Sequence, residues 1–337
     1  MKNRFVLAPM TNSQSREDGV LADEEYKWLT MRAKGGFGLT MTCAAHVQAR
    51  GKGFPGQLGV FSDVHLEGLT RLAAGIKAHD SIAIVQIQHS GMRSPAELIG
   101  ETPVCPSDDE ETKARAMTTE EVEELIEDFI AAAVLAEQAG FDGVEIHGAH
   151  GYIISQFLSP EINQRSDPYG GTAENRSRLL FEIVAGIRRQ CGADFSLGVR
   201  LSPERFGMRL AEVIEVAQRL MHEGGIDFLD MSLWDLYKEP EEEAFKGRTL
   251  ISYFTDLDRG GVRLGVTGNI RTPQDAEKAL EAGADWVMLG RVAMLHHDFP
   301  NQCQNNPSFT PVEIPVTREY LHSRRSVRQI LGVHQLA

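Results

Sequence analysis

One phrase recurs along the chain and restricts its fold more than any other feature. Ala33-Lys34-Gly35-Gly36-Phe37-Gly38-Leu39, Ala139-Gly140-Phe141-Asp142-Gly143-Val144, Gly224-Gly225-Ile226-Asp227-Phe228-Leu229 and Ala282-Gly283-Ala284-Asp285-Trp286-Val287 each set glycine after a helical pattern and before an apolar run. Glycine accepts the left-handed backbone that ends a helix, and a short apolar run suits a strand buried on both faces. Each phrase predicts a helix-to-strand turn. Strands are predicted at Phe5 to Ala8, Leu39 to Thr42, Ile82 to Gln86, Val144 to His147, Leu197 to Arg200, Phe228 to Met231, Arg263 to Val266 and Trp286 to Leu289, eight in all. Helices are predicted between them at Glu24 to Lys34, Leu66 to Ala78, Thr119 to Ala139, Asn175 to Gln190, Ala211 to Glu223 and Pro273 to Ala282, with a vague connection after the sixth strand. The third is best marked, because Thr118-x-x-Glu121 makes a capping box and Val122, Leu125, Ile126 and Phe129 recur at helical spacing.

Alternating strands and helices imply an α/β chain whose parallel strands are joined by right-handed crossovers. Eight such strands point to a (β/α)8 TIM barrel with loop insertions. The alternative is an open doubly wound sheet, but no Gly-x-Gly-x-x-Gly follows an early strand, whereas polar residues end nearly every strand. At about 150 residues per domain, 337 residues allow two domains. Eight strands in one cycle replace that estimate with a single barrel over residues 1–300 and a C-terminal tail over 301–337.

The charge balance is acidic, 34 Lys and Arg against 48 Asp and Glu for a formal net charge of −14. Nucleic-acid binding requires a basic face that displaces counterions, and anionic membranes repel an acidic surface, so neither partner is expected. The four cysteines, at 43, 105, 191 and 303, lie far apart, without the Cys-x-x-Cys of a zinc or iron–sulfur site. Pro9 and the polar stretch from Thr11 to Asp18 leave no signal-peptide core. The expectation is a reduced, cytoplasmic protein.

In a barrel, residues that end the strands converge on one mouth. Here these are Pro9-Met10-Thr11, Ala44, Gln86, Gln88-His89, His147, His150, Tyr152, Arg200, Ser232, Gly268-Asn269 and Gly290-Arg291. Metal binding is a minor option, since His147-x-x-His150 has no clear third ligand. No lysine ends a strand to form an imine, and no Gly-x-Ser-x-Gly elbow is present. A carboxylate pair is equally hard to find: Glu145 lies on the same side of its strand as His147, and Asp230 has no evident partner.

What remains can hold an anion and polarise an oxygen. Gly268-Asn269-Ile270 and Gly290-Arg291 follow strands seven and eight, where this fold commonly binds phosphate; glycine permits close backbone approach and arginine adds a bidentate cation. The bland reading is that these glycines only end strands and Arg291 pairs with a surface carboxylate. His147 and His150 can together donate to one carbonyl or nitro oxygen, with Tyr152 placed to deliver a proton. Otherwise they serve as satisfied structural histidines with a packed tyrosine. Arg200, ending an apolar strand, needs an internal carboxylate or an electron-rich ligand edge. Met10, Trp234 and Trp286 carry no functional weight by themselves.

Asn3-Arg4, Ala8-Pro9-Met10-Thr11, the stretch from Arg32 to Leu39, Gln86-x-x-His89-x-Gly91, Ala116-Met117-Thr118, the long run over 141–178 and Gly198-Val199-Arg200-Leu201-Ser202 resemble the Old Yellow Enzyme family of FMN-dependent ene-reductases. The resemblance extends from about residue 3 to 300. It implies a TIM barrel with tightly bound, non-covalent FMN at its mouth, reduced by NADPH or NADH, that passes hydride to the β-carbon of an activated alkene. Carried over by position, Ala8, Pro9, Met10 and Thr11 contact the flavin ring, with Thr11 adjusting its potential. Ala44 and Gln86 meet its pyrimidine side and Arg200 its N1/C2 edge. Gly268, Asn269, Gly290 and Arg291 hold the phosphate. His147 and His150 bind the substrate oxygen, and Tyr152 protonates the α-carbon.

The resemblance also implies a small-molecule substrate, no metal, and a homodimer or homotetramer. This chain lacks the iron–sulfur cysteines and second pyridine-nucleotide domain of longer relatives, and Ser13 and Gln14 stand where many place a substrate-contacting tyrosine. It starts at Met1-Lys2-Asn3, without the hairpin that usually lies under the barrel, so a more exposed floor or a shortened start is expected. The different-class alternatives are a non-catalytic flavin- or phosphate-binding barrel and a metal-dependent hydrolase.

Overall fold

The strand-forming stretches are too short to bury their apolar faces alone, and they do so by closing on one another. In the computed structural model, which describes residues 1–313 apart from 224 and 307, eight parallel strands form the cycle. They are β1 (Phe5–Leu7), β2 (Leu39–Met41), β3 (Ile82–Gln88), β4 (Gly143–Gly148), β5 (Ser196–Leu201), β6 (Phe228–Ser232), β7 (Arg263–Thr267) and β8 (Trp286–Leu289). Each pairs with the next. The first meets the last through Phe5↔Val287, Val6↔Met288 and Leu7↔Leu289, which closes the barrel and removes both sheet edges.

The six predicted helices occur as Asp23–Lys34, Leu66–Lys77, Thr119–Gln138, Ala173–Gln190, Leu210–His222 and Pro273–Glu281. The capping box at Thr118 and Glu121 is formed in both directions. In each recurring phrase one glycine is left-handed: Gly36, Gly140, Gly225 and Gly283 have φ between 85° and 105°. The vague connection after β6 contains only a short turn, Glu243–Phe245, and a four-residue helix, Ser252–Thr255. A loop insertion after β3 carries its own parallel strand pair, Val104–Cys105 with Arg115–Ala116. After β8 come Arg291–Leu295 and Phe299–Asn305. Phe299 is fully buried and meets Phe5 edge-on at 5.6 Å. Gly224 of the third phrase and residues 314–337 of the expected tail, including Arg324-Arg325, lie outside the described residues. Among the described residues no helix is long and apolar enough to cross a membrane.

Alternation along the strands divides the interior in two. Leu7, Val85, Ile87, Val144, Ile146, Leu229 and Val287 point outward and join the helices in one core. Inside the barrel a smaller cluster contains Val6, Ala8, Leu39, Met41, Ile84, Phe228, Trp286 and Met288. Other inward positions are polar: Gln86, Glu145, His147, Arg200, Asp230 and Ser232 are all buried. Missing side chains make space for them. A Cβ at Gly265 would lie 1.7 Å from Asp230 Oδ1 and 2.0 Å from Trp286 Nε1, and one at Gly198 would lie 2.0 Å from the Phe228 ring.

Gly265→Ala should therefore cost about 2–4 kcal/mol, from overpacking plus loss of a buried hydrogen bond. Gly247→Ala, at φ +88° with open space around its would-be Cβ, should cost about 1 kcal/mol of backbone strain. Urea unfolding midpoints of the two variants check this ordering.

Candidate functional site

The polar inward residues lie at the C-terminal ends of the strands, where the interior opens into a cavity of about 400 Å³. Ala8, Pro9, Met10, His150, Arg200, Gly268, Asn269, Gly290 and Arg291 line it. Nine of the fourteen residues expected at the site thus share one wall system. The other five do not line it. Thr11 follows Met10 and is exposed, while the Ala44 carbonyl accepts a 2.8 Å hydrogen bond from Gln57 Nε2. Gln86 lies deeper, and His147 and Tyr152 lie beside His150.

β4 and the turn after it build the imidazole cluster. His147 closes the strand, and His150 is held at φ +61°, an uncommon conformation for a residue with a side chain. Ser202 Oγ accepts from the His150 backbone N–H at 3.0 Å, and the Arg93 guanidinium donates to the His150 carbonyl. His150 Nδ1 consequently lies 3.3 Å from His147 Nε2. The Tyr152 ring stands 5.2 Å from that of His147, under the Arg93 cation at 5.0 Å. Burial disfavours the charged imidazoles, and it holds the pKa of His147 well below the usual range. His150 is pushed down to about 3, again mainly by burial and then by Arg200; its partial exposure to the cavity lets solvent screen some of that shift. Both rings are neutral at physiological pH. Each neutral ring keeps one N–H, and nitrogens this close can both donate to a single oxygen.

Arg200, on β5, lies opposite His147 on one side and Asp230 on the other. Its Nε donates to Ser232 Oγ at 2.7 Å, while its Nη1 is buried without a partner. Below it is a feature the strand ends did not reveal. Asp230, expected to have no evident partner, accepts a 2.8 Å hydrogen bond from Trp286 Nε1 and interacts with the carboxyl of Glu145, and both acids are completely buried. The strands conceal this partnership because β4 and β6 are separated by β5, so their inward side chains meet only inside a closed barrel. Burial raises the pKa of both acids, that of Glu145 strongly, with further elevation from the Asp230 charge beside it.

Two more residues join the cavity wall. Trp234, given no weight from sequence, is 46% exposed at φ +61°, with its ring 6.1 Å from that of His150. Arg271 also lines the cavity, and its Nε donates to Asn269 Oδ1 at 2.8 Å. Their signal was position: each lies two residues beyond a named strand-end residue, Ser232 or Asn269. Among the described residues no group of three His, Cys, Asp or Glu could hold a metal ion.

The donors fit FMN. Gly268 and Gly290 leave backbone accessible beside Arg271 and Arg291, suiting a phosphate, while Ala8, Met10, Met288 and Met294 offer apolar surface to a ring. The unpartnered Arg200 Nη1 is suited to an electron-rich ligand edge.

The stabilising contribution of the neutral imidazoles is complete above an unfolded pKa of about 6.5 and is lost as pH falls, toward about 3 for His150 and in the same direction for His147. Nitrogen-15 NMR of the ring nitrogens should find both neutral at pH 6, and an imidazolium at either position would contradict the site described.

The sequence model described as "NADH:flavin oxidoreductase / NADH oxidase family" matches residues 1–308. The chain is 37% identical over 302 residues to "Probable NADH-dependent flavin oxidoreductase YqiG" of Bacillus subtilis (strain 168), covering 86% of this chain and 81% of that protein. It is 35% identical over 319 residues to an NADPH dehydrogenase of Bacillus cytotoxicus, covering 92% and 90%. Among solved structures, the old yellow enzyme homologue from Zymomonas mobilis superposes with a TM-score of 0.81 at 26% identity, covering 100% of this chain and 96% of that one.

Proposed function

The chain belongs to the NADH:flavin oxidoreductase / NADH oxidase family and is an FMN-dependent NAD(P)H oxidoreductase of the old yellow enzyme type, and we propose that its acceptor is an activated alkene of the enone kind. One observation carries the proposal: the imidazole of cavity-lining His150 has its Nδ1 3.3 Å from Nε2 of His147, with a phenol beside the pair. When bound, FMN supplies hydride exchange between the nicotinamide and the acceptor.

The protein's own groups divide the remaining work. Ala8, Pro9, Met10 and Thr11 flank the ring, with Thr11 tuning it. Ala44, Gln86 and Arg200 bind the pyrimidine edge, and Gly268, Asn269, Gly290 and Arg291 the phosphate. His147 and His150 each direct one N–H to the acceptor oxygen. Because these bonds strengthen as negative charge develops on that oxygen, they stabilise the transition state more than the bound substrate. Neutral imidazoles suit this role, since they donate without adding a full charge to a buried site. Tyr152 then gives its phenolic proton to the α-carbon, which needs an acid within reach of that carbon. The barrel over residues 1–300 is the proposed functional unit.

Purified protein should absorb visible light as a flavoprotein, bleach with NADPH or NADH, and regain colour with cyclohexenone. Colourless folded protein with no FMN affinity would overturn the assignment. Tyr152→Phe should slow recovery of colour by ~10²–10⁴-fold while leaving the bleaching rate unchanged. His150→Ala should weaken phenol and enone binding far more than FMN binding, read by titration; equal losses would make His150 structural.

A further inference from the structure

Two acids meet below the cavity where two negative charges cannot both persist. Glu145 and Asp230 have no solvent-exposed surface, and their carboxyl groups interact directly with each other. Gln86 Nε2 donates to Glu145 Oε1 at 2.5 Å, and Trp286 Nε1 donates to Asp230 Oδ1 at 2.8 Å. The remaining oxygens, Glu145 Oε2 and Asp230 Oδ2, have no protein donor. A donor is nevertheless required, because a buried lone pair left without one is costly, and two adjoining carboxylates repel. A proton between them supplies the missing donor and removes one charge.

The surroundings determine how many charges remain. Arg200 on β5 is the cation that acts on both acids. β3, β7 and β8 present Gln86, Gly265 and Trp286, which carry no charge, and His147, two residues beyond Glu145 on β4, is held neutral by burial. One proton on the pair leaves one negative charge against one guanidinium.

We propose that Glu145 and Asp230 share a single proton and, with Arg200, form a neutral triad that positions the flavin-binding edge of the cavity. Glu145 fixes the Gln86 amide by accepting from its nitrogen, leaving Oε1 to accept from a ligand N–H. The charge of the pair offsets that of Arg200 from below, while Ser232 fixes Nε and Nη1 remains available as a donor. The cavity is thus offered directed hydrogen bonds with the arginine's charge largely compensated. Both acids are positioning residues. This rests on the assignment of Gln86 and Arg200 to the pyrimidine edge of FMN.

Substitution with amides separates proton from charge. Either Glu145→Gln or Asp230→Asn leaves one carboxylate beside Arg200 and removes the need for a shared proton. The double variant leaves Arg200 uncompensated. Infrared difference spectra of the full chain stripped of FMN, wild type minus each single variant at pH 7, should show the loss of one protonated carboxyl. Buried Glu25 contributes equally throughout and cancels. No such band would overturn the shared proton, and this test is independent of whether the double variant folds.

Dissociation constants for oxidised and reduced FMN provide the second arm. Their ratio should stay within about twofold of wild type in the single variants and shift about tenfold toward the reduced form in the double variant, the effect of an uncompensated charge at partly buried distances. An unchanged ratio in the folded double variant would overturn the positioning role and leave the spectral result intact. A wild-type chain with no FMN affinity would instead overturn the site assignment, also without affecting the spectra.

Discussion

Every inward side chain owes its neighbours to the hydrogen-bonded seam between Phe5–Leu7 and Trp286–Leu289. Without that pairing β1 and β8 would be exposed edges, and the polar interior residues of β4 to β6 would lie along a groove accessible to water. Closure puts Trp286 of the last strand within 2.8 Å of Asp230 and encloses the acids as well as the apolar cluster around Val6 and Met288. The seam is also short, three register pairs on a three-residue strand. Its strength comes from the helices packed outside it, among them the buried Phe299 against Phe5.

Electrostatics then decides what a closed interior can contain. An acidic chain of net charge −14 must still admit a phosphate-bearing cofactor and a dinucleotide. Arg200, Arg271 and Arg291 reach the cavity from three different strand ends, so the local sign differs from that of the surface as a whole. The same reasoning explains why the acids are not exposed alongside them. Kept below Arg200 and partly protonated, they compensate one cation without lining the route an anion would take. The imidazoles follow a complementary rule: burial keeps them neutral, and neutral rings provide one N–H each without repelling the nearby arginines.

How much of this was legible in the sequence depended on the range of the interaction. Local signals carried far. The left-handed glycines at 36, 140, 225 and 283 and the capping box at Thr118 were readable because their physics spans a few residues. The cluster of His147, His150 and Tyr152 was readable for the same reason. Interactions across the barrel were not. Glu145 and Asp230 are 85 positions apart, on strands that are not neighbours, and neither strand records the other. Trp234 was hidden differently: an aromatic residue beside a strand usually packs, and only its left-handed backbone and exposure beside His150 distinguish it.

The glycines inside the barrel tie these scales together. In an ordinary buried strand a glycine forfeits packing and costs conformational entropy, which makes Gly198 and Gly265 look like defects in otherwise apolar runs. In the closed barrel their spaces are already filled. Phe228 occupies the space of the first, and the Asp230–Trp286 hydrogen bond that of the second. A larger residue at 265 would displace Asp230, and Asp230 is a neighbour of both Glu145 and Arg200. The absence of one side chain on β7 thereby fixes the separation of two acids and a cation on β4, β5 and β6. This links a backbone position far from any proposed reacting atom to the charge presented at the cavity.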